Sequence, residues 1–444
     1  MLRVLPTDFQ NFEFLRVLGT APSHGCDVGE CFEAAAKVRA NDGESWYRAW
    51  SEAARKAEAV GEQAIGSGDA VAARWAFMRA SNYWRSSELM LRKPVPTQDP
   101  RQLETISASV DNFKRACALS DTPVDCLKIP FGDEGATLPA YLYLPRKSQQ
   151  IDKTDGTGKQ KIPVIVQVQG FDTTQEEFYH FTVSGALPRG YAVLTFDAPG
   201  QGMVGRREKH RLHLRSDFEV VMRAVLDALW AHVSSSPSCR DPGLDLDKVA
   251  VLGNSTGGYF ALRSAASDNR IRACMASDPF YDLGAAARER IPGWLFRLLS
   301  RATIDRIMWL VLRVVASGQE QWEMGQAIFA LGAASPSDAV DKMQAFTLDR
   351  PDGTSMVADI TCPTLVTDAR DSLFPLEAQR VYDNLTQLKD GETKIMWSPV
   401  GVGQGSLQAK VAAFSHLHAT TFGWLDGVFG ISRPRLESKG AAAK

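Results

Sequence analysis

A mostly parallel α/β sheet covered by helices on both faces is the fold this sequence predicts, and three observations predict it. From residue 123 onwards short apolar runs, such as residues 163–168 and 191–196, alternate with helical patterns. Strands that are apolar along their whole length belong to parallel sheets buried on both sides. One such run, residues 249–252, leads directly into Gly253-Asn254-Ser255-Thr256-Gly257 and then into a helical pattern. Between residues 283 and 359 the alternation stops and helical periodicity takes over, as an insertion between two sheet strands would.

The elements follow in chain order. Residues 30–38, 45–65 and 70–91 carry apolar side chains at steps of three and four, the spacing of one helix face. Asn41-Asp42-Gly43 and Gly66-Ser67-Gly68-Asp69 punctuate them as turns, and Pro94, Pro96 and Pro100 mark a break before the next helix. Residues 125–130 and 138–143 read as a leading antiparallel pair, followed by a polar loop at 148–161. Strands at 163–168, 191–196, 249–252, 271–276 and 364–366 complete the series. The expected organisation is an N-terminal helical cap region (1–122) and a core in two parts (123–282 and 360–432). A helical lid insertion (283–359) separates those parts, and a tail follows (433–444).

Composition narrows the functional classes. A net charge of −2 gives no electrostatic reason for nucleic acid or an anionic membrane as a partner. The seven cysteines are scattered, odd in number and form no Cys-x-x-Cys pair, so neither a disulfide framework nor a zinc site is expected. Residues 294–316 are rich in Leu, Ile, Val and Trp, but Arg297, Arg301, Asp305, Arg306 and Arg313 interrupt them at near-helical spacing. Those charges are costly in a bilayer, so an amphipathic helix pair is expected there and no membrane span. The first residues lack an apolar core and a small-residue cleavage site, and a cytoplasmic location is expected. The expected partner is a hydrophobic small molecule, with no metal or cofactor; a homodimer is compatible with these features.

The chemistry concentrates at Ser255. Strand, tight turn and helix in that order are what a Gly-x-Ser-x-Gly nucleophile elbow needs, with glycine two residues either side so that the hydroxyl projects from the sheet edge. That context specifies an α/β-hydrolase fold with Ser255 as nucleophile. An oxyanion hole takes one backbone donor from the residue after the nucleophile and one from the loop after an earlier strand. The amides of Thr256 and Phe171 are the expected donors, because Gln169-Gly170-Phe171-Asp172 ends a buried strand. Asp371 is the expected acid: it follows the late strand, in the chain order Ser, Asp, His that suits this fold. Asp368 competes, but the downstream Phe374-Pro375 favours Asp371.

Several stretches carry a family resemblance: residues 79–85, Gly170-Phe171-Asp172-Thr173-Thr174-Gln175-Glu176-Glu177, residues 196–202, Ile360-Thr361-Cys362-Pro363-Thr364 and Trp424-Leu425-Asp426. In these the chain resembles the helical-cap α/β-hydrolases that include 2,6-dihydroxypseudooxynicotine hydrolase and fungal polyketide-pathway hydrolases, over roughly residues 27–430. The resemblance implies carbon–carbon, ester or thioester cleavage of polyketide-like β-dicarbonyl substrates, without metal or cofactor. It also implies a catalytic histidine in the loop near Gly401, and there the chain departs from its relatives. Residues 399–410 read Pro-Val-Gly-Val-Gly-Gln-Gly-Ser-Leu-Gln-Ala-Lys, and the family's histidine position falls between Gly405 and Gln408.

Seven histidines exist in the chain. His180 follows the oxyanion loop; His416 and His418 lie on the expected C-terminal helix, two to three turns past the histidine-less loop. These three are the candidate bases. Without one, a serine hydroxyl is a weak nucleophile at neutral pH, whereas an oxyanion hole still polarises a carbonyl. In this respect the chain resembles hydrolase-like proteins of fungal polyketide–peptide pathways, such as those of cytochalasans and pseurotin. Three readings result. One is a biosynthetic enzyme promoting non-hydrolytic condensation or cyclisation of a polyketide or polyketide–peptide carbonyl. The second is a serine hydrolase served by His180, His416 or His418, and the third a non-catalytic binding protein on the same scaffold. Trp294, Phe296, Trp309, Trp322, Met324 and Phe329 give the lid apolar surface suited either to a large ligand or to its own core.

Overall fold

The computed structural model describes residues 3–132, 135–150, 161–239, 243–289 and 299–433. Trp294 and Phe296, most of the polar 148–161 loop and nearly all of the tail lie outside them.

Five helices come first: α1 (Asp8–Leu18), α2 (Val28–Ala35), α3 (Gly43–Ser67), α4 (Ala70–Glu88) and α5 (Arg101–Ala118). Their starts follow capping chemistry. Thr7, Asp27, Asp42 and Asp69 each accept a backbone N–H from the first turn of the helix that follows, satisfying donors that would otherwise be orphaned. Helix α1 lies outside the expected helical stretch, and it supplies residues that reach the core. Trp46, Trp50 and Tyr83 pack this cap on its own hydrophobic centre.

The sheet has eight strands in the order β1-β2-β4-β3-β5-β6-β7-β8. They are β1 (Val124–Pro130), β2 (Thr137–Tyr143), β3 (Ile162–Val168), β4 (Ala192–Phe196), β5 (Leu244–Asn254), β6 (Ala273–Ser277), β7 (Thr364–Thr367) and β8 (Lys394–Trp397). The first two form the expected antiparallel pair, with β2 antiparallel to β4, and the other six run parallel. Every residue of β3, β4, β6 and β7 is buried, which is why those strands read as unbroken apolar runs. The short edge strand β8 escaped the sequence reading. Its four residues begin with a lysine and are mostly half-buried, so they carry little of the apolar signal that marks its neighbours.

Helices α6 (Phe218–Ser235) and α7 (Thr256–Ser267) flank β5 in sequence. Between β6 and β7 the chain inserts α8 (Leu283–Glu289), α9 (Arg301–Val314), α10 (Gly318–Leu331) and α11 (Pro336–Met343). Trp322 is buried against Phe9 of α1, with ring centroids 5.0 Å apart. Phe329 lies under the guanidinium groups of Arg92, Arg206 and Arg211. Two of the lid aromatics therefore fasten the insertion to cap and core. Helix α12 (Phe414–Phe429) closes the fold. No helix among the described residues is long and apolar enough to cross a membrane.

Candidate active site

The elbow is built by close approach. A Cβ on Gly253 would stand 1.9 Å from the Gly257 carbonyl oxygen, and one on Gly257 would stand 2.6 Å from that of Val168. Only glycine fits either position. Between them Ser255 adopts φ 57°, ψ −121°, a conformation that costs a non-glycine residue about 1–3 kcal/mol and persists only where the surroundings enforce it. Its amide donates to the Ser277 carbonyl at 2.8 Å, and its carbonyl accepts from Gly258 at 2.8 Å. The side chain is thereby held at the C-terminal edge of β5, with Thr256 as the first residue of α7.

The hydroxyl's partner is an amide. Gln408 Nε2 donates to Ser255 Oγ at 2.8 Å, and Gln408 Oε1 accepts from Ser372 Oγ at 3.3 Å. Ser372 Oγ also donates to the Phe374 carbonyl at 2.9 Å, so the Gln408 amide is tied to the loop that follows Asp371. Gln408 lies inside the loop where the family's histidine is expected. Sequence reasoning bracketed its position as the last of four alternatives but gave it no role.

Asp371 lies one loop away and is engaged by the same segment. Its amide donates to the Ser406 carbonyl at 3.0 Å, and its carboxylate accepts from Ser406 Oγ. Asp368 donates its amide to the Trp397 carbonyl and offers its own carbonyl to Lys410 Nζ, at 2.7 Å for the latter. A carboxylate the sequence reading passed over, Asp278 at the end of β6, anchors the loop. It accepts from the Ala409 amide and from Lys410 Nζ, both at 2.7 Å, and from Thr367 Oγ1 at 2.8 Å. The side chains of Lys410 and Asp278 are both fully buried. Ala409, Lys410 and Ala412 all take positive φ, 54°, 57° and 65°, so the loop holds a backbone course that its residue types disfavour. The buried Asp278–Lys410 pair helps to keep it there.

None of the three candidate histidines reaches Ser255. His180 is 2% exposed and faces the cap, its Nδ1 2.9 Å from Ser23 Oγ; burial pushes its pKa down to about 3. His418 Nε2 bonds the Phe181 carbonyl at 2.8 Å, and burial lowers its pKa too. His416 bonds Gln404 Oε1 on the exposed side of α12. For His416 and His418 the reason is their place on α12, which begins at Phe414, after the loop has already delivered Gln408 to the serine; His180 is held against the cap by Ser23.

The loop expected to supply an oxyanion donor leaves β3 at Gln169 and is held from below. Gln201 Nε2 donates to the carbonyls of Gln169 at 3.0 Å and Gly170 at 2.6 Å, and Gln326 Nε2 donates to that of Phe171 at 2.7 Å. From α1, Arg16 reaches Asp172 Oδ2 with Nη1 and grips Glu177 with Nε and Nη2, each contact at 2.6 Å. Arg16 is 4% exposed, and its three carboxylate neighbours, Asp172, Glu177 and Glu13, keep it firmly charged despite burial. The cap is thus wired into the loop that is expected to bind developing negative charge.

Candidate metal ligands lie elsewhere. Asp125, His232 and Cys239 place ligand atoms within 4.8 Å of one another, but on edge strand β1 and its neighbours. That edge is four strands from β5, roughly 19 Å away at the usual strand spacing.

A glycine-flanked serine turn after β5, a buried loop after β3 and a carboxylate-bearing loop after β7, on this strand order, are the parts of one fold family. Residues 168–399 match the alpha/beta hydrolase family. The chain belongs to that family. It is 41% identical to hydrolase LUC6 of a Fusarium species, over 98% of this chain and all of the relative. It is equally 41% identical to the 20-hydroxy-prefusarin hydrolase FUS2 of Gibberella moniliformis, again covering 98% of this chain and 100% of the relative. The solved structure of 2,6-dihydroxy-pseudo-oxynicotine hydrolase superposes with a TM-score of 0.65 at 19% identity, covering 95% of this chain and 99% of that one. AbyA5 does so with a TM-score of 0.59 at 16% identity, covering 96% of each. Those two share the fold, cap region included. By family this is an α/β-hydrolase-superfamily enzyme.

Proposed function

We propose that this enzyme promotes a non-hydrolytic condensation or cyclisation of a polyketide or polyketide–peptide carbonyl intermediate in a fungal biosynthetic pathway. One observation carries the reading: Ser255 Oγ accepts a hydrogen bond from the Gln408 amide. A neutral amide NH2 cannot take the serine's proton, so the general-base step of acyl transfer has no agent at that position. The donated bond instead occupies a lone pair of Oγ and leaves the Ser255 O–H free to point at a substrate oxygen. Ser255 then acts as a third donor beside the amides of Phe171 and Thr256, stabilising negative charge as it develops on a carbonyl. A methylene between two carbonyls passes its proton to one of those oxygens, and the resulting enol attacks the polarised carbonyl carbon. As the new carbon–carbon bond forms, the enol O–H gives up its proton and the attacked carbonyl oxygen takes one up, and loss of water completes a condensation. Asp371, tied to Ser406, serves to hold the loop. The same proposal places the enzyme in the cytoplasm, on a hydrophobic small molecule.

The relatives support the biosynthetic part of this reading, since one of them is named for 20-hydroxy-prefusarin. Their common name also supports the alternative, a serine hydrolase of an ester, thioester or carbon–carbon bond. Treating the purified enzyme with a fluorophosphonate probe and with simple aryl esters separates the two. Negligible Ser255 labelling and background ester turnover are expected; rapid labelling with brisk turnover would sink the condensation reading.

A further inference from the structure

Helix α10 belongs to the insertion between β6 and β7, yet one of its faces reaches three separate loops around the site. Gln319 Nε2 donates to the Leu373 carbonyl at 3.2 Å, Trp322 Nε1 to the Leu89 carbonyl at 2.9 Å and Gln326 Nε2 to the Phe171 carbonyl at 2.7 Å. Steps of three and four residues put all three on one side of the helix. A carbonyl can only accept, so the direction of each bond is settled. Leu373 lies two residues past Asp371, Leu89 ends the cap's fourth helix, and Phe171 belongs to the oxyanion loop.

The bond to Phe171 has a geometric consequence. In a trans peptide the C=O and the following N–H point in opposite directions. Gln201 holds the Gly170 carbonyl, so the Phe171 N–H is turned away from Gln201. Gln326 holds the Phe171 carbonyl and likewise turns the Asp172 N–H away. Both glutamines are almost fully buried, 1% and 2% exposed, where a preorganised dipole counts for more than it would in water. The helix has little freedom to slide: a Cβ on Gly325 would stand 2.6 Å from the backbone C and O of Lys93 in the cap.

We propose that Gln326 is a positioning residue that fixes the Phe171–Asp172 peptide of the oxyanion loop, the plane next to the one carrying the Phe171 donor N–H, so that the helical insertion sets the site's power to polarise a carbonyl. This rests on the carbonyl-polarising reading above. The test uses the full chain saturated with carbon-13-labelled acetylacetone, with the carbonyl stretch followed by isotope-edited infrared spectroscopy. In the wild type the bound carbonyl is expected at lower frequency than the free probe. Gln326→Met, near in size but without a donor, is expected to lose most of that displacement. Gln326→Glu is expected to lose it while the carboxylate is ionised and to regain it as pH falls, because the neutral carboxyl again offers an O–H; Gln326→Met shows no such recovery. A purely structural role would not produce that pH-dependent rescue. If both variants melt like the wild type and keep the full displacement at every pH, the positioning role is overturned. If the wild type shows no displacement, the carbonyl-polarising reading falls first and the inference with it.

Discussion

The elbow around Ser255 and the loop from 399 to 411 meet at one hydrogen bond, but they are held in opposite ways. The elbow is a local device, in which glycines two residues either side of the serine permit the approach that forces its strained backbone. The loop is a long-range device, pinned by residues more than a hundred positions away, with Asp278 on Lys410 and on the Ala409 amide. The scaffold keeps the elbow's geometry while the loop changes what the elbow faces. Ser255 meets an amide donor, and Asp371, the carboxylate expected to orient a base as in a triad, is bonded to Ser406. The backbone that places Ser255 and the side chain that its hydroxyl meets are thus lodged in different parts of the chain.

The comparison breaks most visibly if the loop is released. Lys410→Met leaves Asp278 buried without its cation, and removing one partner of such a pair costs about 3–5 kcal/mol. Guanidinium unfolding should show a midpoint well below that of the wild type; an unchanged midpoint would mean the loop is pinned by something else. Next in size is Ser255→Ala, measured as the rate of product formation from the biosynthetic substrate. Loss of one hydrogen-bond donor to a developing oxyanion costs about 10²–10³ in rate, whereas removal of a working triad serine costs about 10⁶. The size of the loss therefore reports which job Ser255 does. A smaller effect is expected from Gln408→Leu, which removes a single hydrogen bond of about 1 kcal/mol and should slow the reaction roughly fivefold. Gln408→His should not produce brisk ester hydrolysis on its own, because residue 408 is bonded to Ser372 and Ser255, while the Asp371 carboxylate that would orient an imidazole is bonded to Ser406. Turnover of p-nitrophenyl acetate by that variant is the measurement, and a gain comparable to general-base catalysis, about 10²-fold or more, would show the site needs nothing beyond the ring.

What could be read in advance follows the same division. Ser255, its glycines and the strand before it were legible because the steric argument is local, and the lack of a histidine between residues 399 and 410 was legible because seven histidines can be checked one by one. Gln408 was not, since its partner lies 153 residues away and its register depends on where a gap falls in a loop with three positive-φ non-glycine residues. Asp278 stands between the last residue of β6 and Pro279, with no sequence signal of its partner; only the fold brings Lys410 to it. Helix α1 had a signal in Thr7, Asp8 and the phenylalanines at 9, 12 and 14, but nothing in the sequence tells that its Arg16 ends at the oxyanion loop.

The smallest expected effect concerns the histidines, and it tests whether the loop or a remote ring governs the chemistry. His180 is buried, and the cost of burying its cation pulls its pKa from 6.5 down to about 3. It is therefore neutral throughout the range in which enzymes use histidine as a base, and its ring is committed to Ser23. His180→Gln should change the rate less than twofold, and the pH–rate profile should show the same shape before and after. The effect belongs to stability. Because the folded pKa lies below the unfolded one, neutral His180 contributes stability that is present above about pH 6.5 and drains away as pH falls towards 3. The glutamine variant should lose part of that acid-side slope, read from urea midpoints across the same window. A rate that collapsed with His180 while stability held would return the base to that ring and make the Gln408 amide a bystander.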